Sequence, residues 1–527
     1  MLMKRQPNQL IGLALVLLLV TATLGFAGGR TETAAAAGDV IAIEYWDENN
    51  QHGIFDANHP QSVAFAEQFG IVWESPMVSW NGGTDYLQQL RLRIAAGDLP
   101  DIFMPWGGIE QELIDNGAVA DLTDLIQEEM PAFYSNVAPE IWDFIRSLSP
   151  DGQSIYVLPS VQFTPLGGMI RGDWLDRLGL DVPTTVDEYV EVLRAFRDQD
   201  ASGDGNPNNE IPTSGREGGR WMDHLFAPFG IAMVEGFPEW DIYDGELQYS
   251  AVQPAMRSAI EWIRGLYAEG LLDPETFINT NQVWMGKITG DLVGSWYHGT
   301  HWSPARFTTL YNAGVTDVRL DYLPMLSHPD YEGFMTTTDY RRPGYVFGAH
   351  MTEEAIRRTM RAIEFVNDPA TIEERNIGYE GVNFLIENGQ EVRLSTADFL
   401  ALGTGYRPAL GAQLLSDAET TIRTNEFQMS LLSGPDDPSY RAVDNANRLI
   451  AAYSQDTVRS IAGQFLPPSI YEGYPDIRTH RLFQEYVARI IVGDWEIDRF
   501  DEFVERWYRS GGREVTERAQ AAYAALQ

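Results

Sequence analysis

Segment 198–212, DQDASGDGNPNNEIP, concentrates acids, amides and glycines in one short run. Calcium-binding loops place oxygen-bearing side chains at alternate positions and a glycine at the sixth, where the chain bends sharply. Counted from Asp200, the sixth place is Gly205, and the twelfth, where a sensor loop has its closing glutamate, is Ile211. The run predicts a calcium site, and a plain solvated turn rich in Asp, Asn and Gly is the alternative. Calcium sensors pair two such loops, and the sequence has a single one, so we predict no calcium switch.

Aromatic residues are abundant, and 14 Trp, 23 Tyr and 24 Phe favour a surface that stacks on ring-shaped ligands. Several of them follow predicted strands, and the carboxyl ends of strands are where α/β proteins bind ligands. The candidate ligand-binding aromatics are Trp46, Trp80, Trp106, Trp296, Tyr297 and Trp302. Arg171, in MIRGDWL, is a further candidate, because a guanidinium can donate to a ligand hydroxyl or carboxylate. The alternative for Arg171 is a salt bridge to Asp173 or another acid.

The sequence contains no recognisable catalytic motif. Hydrolysis of a glycosidic bond requires two carboxylates about 5–10 Å apart; with 76 acids the sequence does not exclude such a pair, but no acid stands in a recognisable catalytic motif. His298 and His301, in YHGTHW, are spaced to share a metal, but no HExxH motif or third ligand accompanies them. We interpret them as surface histidines beside a pocket. We therefore predict a protein that is not an enzyme and has no catalytic cofactor.

The first 27 residues have the features of an export signal. Lys4 and Arg5 form a basic start, an apolar stretch follows, and Gly25-Phe26-Ala27 is a small-x-small cleavage site. An uncleaved anchor is the alternative, although the strongly apolar part is short for a membrane span. The chain has no cysteine, which excludes lipid anchoring, disulfides and zinc–thiolate sites. These features predict a soluble protein in the periplasm or secreted.

Acidic residues outnumber basic ones, with 76 Asp and Glu against 37 Lys and Arg, for a net charge of −39. Loss of the signal would remove one lysine and one arginine, and Lys287 would be the remaining lysine. Such a field repels nucleic acid and anionic membrane surfaces. We therefore predict no nucleic-acid partner, and we expect a monomer.

Strands alternate with helices over most of the chain, which predicts α/β lobes. VIAIEYW has the composition of a buried strand, and TDYLQQLRLRIAA that of a helix that ends at Gly97. TTVDEYVEVLRAFRD predicts a helix that begins with a capping box, Thr185 and Glu188. From about Val443 onward the pattern is mostly helical.

Eight segments follow one another in the order and spacing of a known family. They are TDYLQQLRLRIAAGDLPDIF, NGAVADLTDLI, SPDGQSIYVLPS, RGDWLDRLGLDVPTTVDEYVEVLRAF, EIP, GLYAEGLLDPE, IGYEGVNF and IIVGDWEIDRFDEFVERWYRSGG. The chain thereby resembles the extracellular solute-binding proteins of carbohydrate ABC importers. The resemblance is greatest to the branch that includes alginate-oligosaccharide binders and Gram-positive lipoproteins. It covers nearly the whole chain after the signal.

The resemblance implies two α/β lobes joined by a hinge of two or three crossings, with a helical C-terminal part. The N-terminal lobe would comprise 39–162 plus 340–375, and the C-terminal lobe 163–339 plus 376–527. The implied function is a periplasmic receptor that captures a carbohydrate, in particular an oligosaccharide, and delivers it to the permease subunits of the importer. A binder of peptides or other organic solutes is the alternative, and a carbohydrate-active hydrolase or lyase is a further one.

The resemblance also implies roles for particular residues. In maltose-binding relatives, a tryptophan in the context of Trp296 stacks on the sugar, which makes Trp296 the first candidate. Arg171 would lie just beyond the hinge, and Tyr379 and Glu380 would lie in its third segment, with a part in closure or in ligand contact. Relatives of the alginate binders hold a structural calcium ion in a loop like 198–212. Its counterparts here are Asp200, Ser202, Asp204, Asn206, Asn209 and Glu210.

Overall fold

The computed structural model describes residues 40–47, 60–340, 342–371, 384–387, 390–393, 412–430 and 432–526. The export signal, Tyr379 and Glu380 lie outside these ranges. The described part of the chain contains no helix that is both long and apolar enough to cross a membrane.

Short strands are spread along the whole described chain. They are Ile41–Trp46, Ile71–Glu74, Ile102–Phe103, Leu158–Gln162, Leu166–Arg171, Ile211–Thr213, Met233–Val234, Phe237–Pro238, Trp240–Tyr243, Glu246–Tyr249, Val293–Gly299, Leu320–Leu323, Met335–Thr337, Arg342–Phe347, Phe384–Glu387, Gln390–Arg393, Leu415–Ser416 and Val458–Ser460.

Helices fill most of the segments between these strands and dominate the C-terminal part. The α-helices are Pro60–Phe69, Thr84–Ala96, Glu110–Asp115, Ile126–Glu129, Pro131–Asn136, Pro139–Ser147, Gly172–Leu178, Val186–Asp198, Asp223–Phe226, Pro254–Ala268, Asn281–Thr289, Ser303–Asn312, Glu353–Asn367, Ala418–Ser430, Pro438–Tyr453, Pro475–Arg478, Arg481–Ile491, Arg499–Trp507 and Arg513–Leu526. Single 3₁₀ turns include Asn81–Gly83 and Thr300–Trp302.

The larger of the two main sheets has six strands. Its strand order is Leu415–Ser416, Leu158–Gln162, Arg342–Phe347, Ile102–Phe103, Ile41–Trp46 and Ile71–Glu74. Ile41–Trp46 pairs in parallel with both of its neighbours, so the carboxyl ends of these strands meet at one edge. The residues that follow them are placed at that edge, where α/β sheets bind ligands.

A second, four-stranded sheet has the order Leu320–Leu323, Leu166–Arg171, Val293–Gly299 and Ile211–Thr213. Val293–Gly299 is an interior strand, and all seven of its residues are buried. The first sheet belongs to one buried hydrophobic cluster, whereas the residues of the second sheet are divided among three. The chain passes between the sheets at 163–165, from Leu158–Gln162 to Leu166–Arg171.

Two helix boundaries show why the local predictions succeed. Thr185 accepts a hydrogen bond from the amide of Glu188, and Glu188 reaches back to the Thr185 amide, which is the predicted capping box. The helix Thr84–Ala96 ends at Gly97, whose φ of 67° is in the left-handed region that glycine tolerates. The prediction of an α/β fold with a helical C-terminal part is confirmed, and the lobe bounds stay a prediction.

Candidate functional site

The loop predicted to bind calcium connects the helix Val186–Asp198 to the edge strand Ile211–Thr213. Carboxylate oxygens of Asp200, Asp204 and Glu210 all lie within 4.8 Å of one another. Gly205 has a φ of 88°, which lets the chain turn around this group of oxygens. The structure thus brings together the three acids that the sequence analysis selected.

Hydrogen bonds within the loop leave several oxygens for a cation. The amide of Gly205 donates to Asp200 Oδ2 over 3.0 Å, and the Asn209 amide group donates to Asp204 Oδ2 over 2.7 Å. Asp200 Oδ1, Asn209 Oδ1 and Glu210 Oε2 are buried and have no hydrogen-bond partner within the protein. Three buried, unpaired oxygens with clustered negative charge fit a hard divalent cation such as Ca²⁺. Ser202 donates from its hydroxyl to Glu210 Oε1 over 3.2 Å, and the Asn206 amide donates to Asp204 Oδ1 over 2.7 Å.

A pair of half-buried tryptophans marks the first sheet's side of the candidate ligand cleft. The ring centroids of Trp80 and Trp106 are 5.0 Å apart, and Trp80 lies 5.5 Å from Tyr86. Trp106 follows the strand Ile102–Phe103, as predicted. Both rings are partly exposed, so each can offer a face to a ligand.

Gly83 is required for this arrangement. Its φ of 88° is left-handed, and a Cβ at this position would lie 2.0 Å from Trp106 Nε1. The glycine-rich turn that follows Trp80 therefore lets the backbone pass directly against the indole of Trp106. Any larger residue at position 83 would displace that ring.

Trp302 is the predicted aromatic that is half-buried on the side of the second sheet. Its ring lies 4.6 Å from the ring of His298 and 4.4 Å from that of His301. His298 is 6% exposed and therefore buried, which corrects its interpretation as a surface histidine.

The segments that carry the first and the second sheet approach each other at the turn Asn81–Gly83. A Cβ built on Gly82 would lie 3.5 Å from Glu217 Oε1 and 3.8 Å from Arg216 Nη1. The turn also contacts the helix Asn281–Thr289. The turn after Trp80 therefore lies beside Arg216, Glu217 and the helix Asn281–Thr289, in segments that come after the strand Ile211–Thr213 of the second sheet.

A polar cavity of about 210 Å³ lies where the chain crosses between the two sheets. Its lining includes Gln162, Phe163, Thr164 and His301, together with hydroxyl and amide side chains of the helix Ala418–Ser430. His301 connects this cavity to Trp302. Hydroxyls, amides and adjacent aromatic rings are the groups that recognise sugar hydroxyls and sugar ring faces.

Trp296 does not line a cleft in this structure, which corrects the first candidate. Its side chain is fully buried in a cluster with Met169, Trp284 and Tyr322. Tyr297, its neighbour on the same strand, points to the opposite face and is also buried, with its ring stacked 5.9 Å from His224. The strand Val293–Gly299 is covered on both faces, so neither ring can offer a face to a ligand here.

Arg171 and Trp46 are also core residues rather than cleft residues. The Arg171 guanidinium is fully buried and pairs with Asp173 and Asp291, which is the alternative that the sequence left open. Trp46 is the last residue of its strand, is 4% exposed, and donates from Nε1 to Glu44 over 2.9 Å. Glu380 lies outside the described residues.

Arg216, Trp221, Trp284 and Arg306 belong to a buried group of basic and aromatic side chains that the sequence analysis did not select. Arg216 Cζ lies 5.4 Å from the Trp221 ring centroid and 5.5 Å from that of Trp284. In a chain with many arginines, no local sequence pattern distinguishes Arg216 and Arg306 from the others. The glycines of SGREGGR, around Arg216, are the one hint of a tight turn.

Comparison with known proteins identifies similar sequences. The profile of the family described as bacterial extracellular solute-binding protein matches residues 64–275. The fructooligosaccharide ABC transporter substrate-binding protein FusA of Streptococcus pneumoniae is 27% identical over 50% of this chain. That match spans 49% of FusA, or about half of its length. The polygalacturonan/rhamnogalacturonan-binding protein YtcQ of Bacillus subtilis is 20% identical, and the match covers 85% of each chain.

Solved structures share the fold. The alginate-binding protein AlgQ2, in a crystal structure without calcium ion, aligns with a TM-score of 0.63 at 20% sequence identity. The alignment covers 94% of this chain and all of AlgQ2. At this identity the likeness shows a common fold and leaves ligand choice to the residues of the site.

Proposed function

Since residues 64–275 match the bacterial extracellular solute-binding proteins, we propose that the chain is a protein of this kind, which captures an oligosaccharide and delivers it to an ABC importer. The observation that carries the proposal is the polar cavity between the two sheets, with His301 in its lining and Trp302 beside it. The names of FusA and YtcQ, which are those of saccharide-binding proteins, support the same ligand class.

The ligand-binding residues in this proposal are Trp80, Trp106 and Trp302. Trp80 and Trp106 stack on one side of the ligand, and Trp302 contacts it from the other. A ligand shifts the protein toward a closed form only if closure adds contacts that the open form lacks. Trp80 and Trp106 on one side and Trp302 on the other would meet that condition. If the two sides separated, the ligand would keep its contacts with only one of them.

The loop 198–212 is proposed to hold a structural Ca²⁺ ion. Support comes from the clustered oxygens of Asp200, Asp204 and Glu210, with Asn209 beside them. The ion would join the end of one helix to the start of an edge strand, and it would supply no chemistry to the ligand.

Export to the periplasm, a monomeric state and docking on permease subunits complete the proposal. The lobes are proposed as 39–162 plus 340–375 and 163–339 plus 376–527, so that lobe closure presents the surface that the permease reads. Proteins of this family bind their solutes, and we propose that this one returns its ligand chemically unchanged. A ligand recovered in shortened or unsaturated form after incubation would contradict that part.

A thermal-shift screen tests the proposed function. Neutral oligosaccharides, uronate oligomers and short peptides are each added to the purified protein, because a ligand that binds only the folded state raises its melting temperature. We expect a rise with at least one oligosaccharide and none with peptides. A rise with peptides alone would replace the carbohydrate with the peptide alternative.

A further inference from the structure

Each of the two half-buried tryptophans on the first sheet's side is followed directly by a left-handed glycine turn. After Trp80, the turn Asn81–Gly83 has φ angles of 42°, 65° and 88°. After Trp106, Gly107 and Gly108 have φ angles of 83° and 72°. Successive left-handed residues are rare, because a Cβ crowds the backbone in this region. The same uncommon arrangement therefore occurs twice beside the proposed stacking rings.

The first of these turns meets segments that pack with the second sheet. A Cβ built on Gly82 would lie 3.5 Å from Glu217 Oε1 and 3.9 Å from the Cβ of Asn281. These distances are those of ordinary van der Waals contact, so any side chain longer than a methyl group at position 82 would run into the opposite side. Glycine thus permits the two surfaces to touch.

The second turn meets the helical C-terminal part. Arg478 Nη2 donates to the carbonyl of Gly108 over 3.5 Å, and a Cβ at Gly108 would lie 2.6 Å from the same nitrogen. Burial raises the pKa of the nearby Glu110, and the charge of Arg478 opposes that rise. Arg478 is exposed, so this contact is made at the surface by a flexible side chain.

Both contacts join separately packed bodies. Trp80 and Trp106 pack against the hydrophobic cluster of the first sheet. Trp221 and Ile477, which are close in sequence to the opposite contact residues, belong to clusters that contain residues of the second sheet. Domain closure takes place between separately packed bodies of this kind, through contacts that form and break as a unit.

The loop opposite the first turn is preformed. Arg216 and Arg220 exchange two backbone hydrogen bonds, of 3.1 and 2.7 Å, which close the loop between them. The Glu217 amide donates to the Asn279 carbonyl over 3.0 Å. Glu217 is itself left-handed, with a φ of 49°, which is uncommon for a residue with a side chain. Such strained backbone persists where the surrounding structure holds it, and it clusters at functional sites.

The turn after Trp80 is preformed as well. Asp85 accepts hydrogen bonds from Ser79 Oγ over 2.7 Å and from Asn81 Nδ2 over 3.0 Å. The Gly83 amide donates to the Trp80 carbonyl over 2.8 Å. Two preformed turns lose little conformational freedom when they meet. Even a small contact between them therefore stabilises the arrangement in which they touch.

We infer that the turns Asn81–Gly83 and Gly107–Gly108 are a clasp that holds the two sides of the candidate cleft together. The inference rests on the proposed receptor function and specifies how its cleft closes. Because each turn directly follows a proposed stacking tryptophan, the clasp fixes the two rings relative to the opposite side. The closed form thereby has contacts of its own in addition to those with a ligand.

Small-angle X-ray scattering of the ligand-free protein tests the inference, because a protein whose two sides separate has a larger radius of gyration. Gly82→Gln is the variant, since its side chain would occupy the space of the contact. Gly97→Gln is the matched control. Gly97 lies at the other end of the helix Thr84–Ala96, has a φ of 67° against 65°, and a Cβ there would meet no atom within 4 Å. We expect Gly82→Gln to increase the radius of gyration and Gly97→Gln to retain the wild-type value.

Arg478→Gln tests the second contact without changing a glycine. It shortens the side chain that reaches Gly108 and removes its charge. We expect it to expand the protein, and to expand it further in combination with Gly82→Gln. Arg509→Gln is the control, since Arg509 is exposed and lies 3.8 Å from Glu505, and its radius of gyration should equal that of the wild type. Because Arg478 is exposed, its variant should fold even if Gly82→Gln does not.

The outcomes separate the clasp from the proposed function. Equal radii of gyration for the wild type, Gly82→Gln and Arg478→Gln would overturn the inference and leave the receptor intact. Expansion of Gly97→Gln as large as that of Gly82→Gln would also overturn it, because backbone strain alone would then be the cause. A protein that expands as expected but binds no oligosaccharide in the thermal-shift screen would keep the clasp and lose the carbohydrate function.

Discussion

At the scale of single residues, Trp80 and Trp296 form a natural pair for comparison. Trp80 is half-buried at a glycine-rich turn, whereas Trp296 is fully buried within an interior strand. A ring can stack on a ligand only through a face that the ligand can reach. The same change, tryptophan to alanine, should therefore affect binding at one position and stability at the other.

Trp80→Ala should cost about 1.5–3 kcal/mol of binding free energy, the scale of one large apolar face, or about ten- to a hundredfold in Kd. Trp296→Ala should cost about 3–5 kcal/mol of unfolding free energy and leave the affinity of the folded protein unchanged. Denaturant unfolding and ligand titration on both variants check this. Weakened binding in a stable Trp296→Ala protein would restore Trp296 as a cleft residue.

Asp223 gives a pH dependence to stability. Its carboxyl is 4% exposed, and desolvation raises its pKa to about 7, with the backbone amide of Gly236 opposing the shift. The unfolded pKa is about 3.9, so the protonated carboxyl favours folding at low pH. This contribution is lost as the pH rises from about 4 through 7. Between these values the free energy of unfolding falls by about 1.4 kcal/mol per pH unit.

Asp223→Asn should remove this contribution, because asparagine stays neutral. The difference in unfolding free energy between the wild type and the variant should change between pH 5 and pH 7 and level off above the folded pKa. Urea unfolding at four pH values from 5 to 8 measures it. Parallel profiles for the two proteins would show that Asp223 titrates normally.

At the scale of elements, the loop 198–212 joins a capped helix to the edge strand of a sheet. Oxygens of three carboxylates within 4.8 Å of one another repel without a cation. Chelation should therefore lower the melting temperature by a few degrees, because lost metal binding is lost folding free energy. Ligand affinity should stay nearly unchanged, since no proposed stacking residue belongs to the loop.

The control for the calcium prediction is Asp204→Asn, which removes one carboxylate and keeps the shape of the side chain. Its melting temperature should respond less to chelator and to added Ca²⁺ than that of the wild type. A wild-type melting curve that is the same with and without chelator would leave the loop as a solvated turn.

At the scale of the whole molecule, the net charge of −39 sets the response to salt. Surface ion pairs such as Arg357–Glu353 and Arg194–Glu269 contribute little in water. Repulsion among the excess acids acts over the whole surface, and its reach shrinks from about 10 Å at 0.1 M salt to about 3 Å at 1 M. The general repulsion should therefore dominate over the local pairs.

The melting temperature should consequently rise between about 0.05 M and 1 M salt, where screening shortens the reach of the repulsion. Scans with NaCl and KCl at equal ionic strength separate screening from effects of one particular ion. A melting temperature that falls steadily over this range would mean that the ion pairs outweigh the net repulsion.

The sequence by itself determined the fold class, two helix boundaries and the grouping of acids in the loop 198–212. These depend on local chemistry: a capping box at Thr185, a glycine at the end of a helix, and oxygens at alternate positions in one loop. The order of the eight quoted segments added the resemblance on which the proposed receptor function rests.

Only the tertiary structure decided which aromatic and basic residues are buried and which are partly exposed. Trp296 and Trp302 lie six positions apart. Trp296 is buried because its strand is covered on both faces, whereas Trp302 is partly exposed. Arg171 found two acids, and Arg306 found none among the described residues. Exposure and pairing depend on neighbours that are distant in sequence, because a side chain's partners are set by packing between elements and not by its own segment.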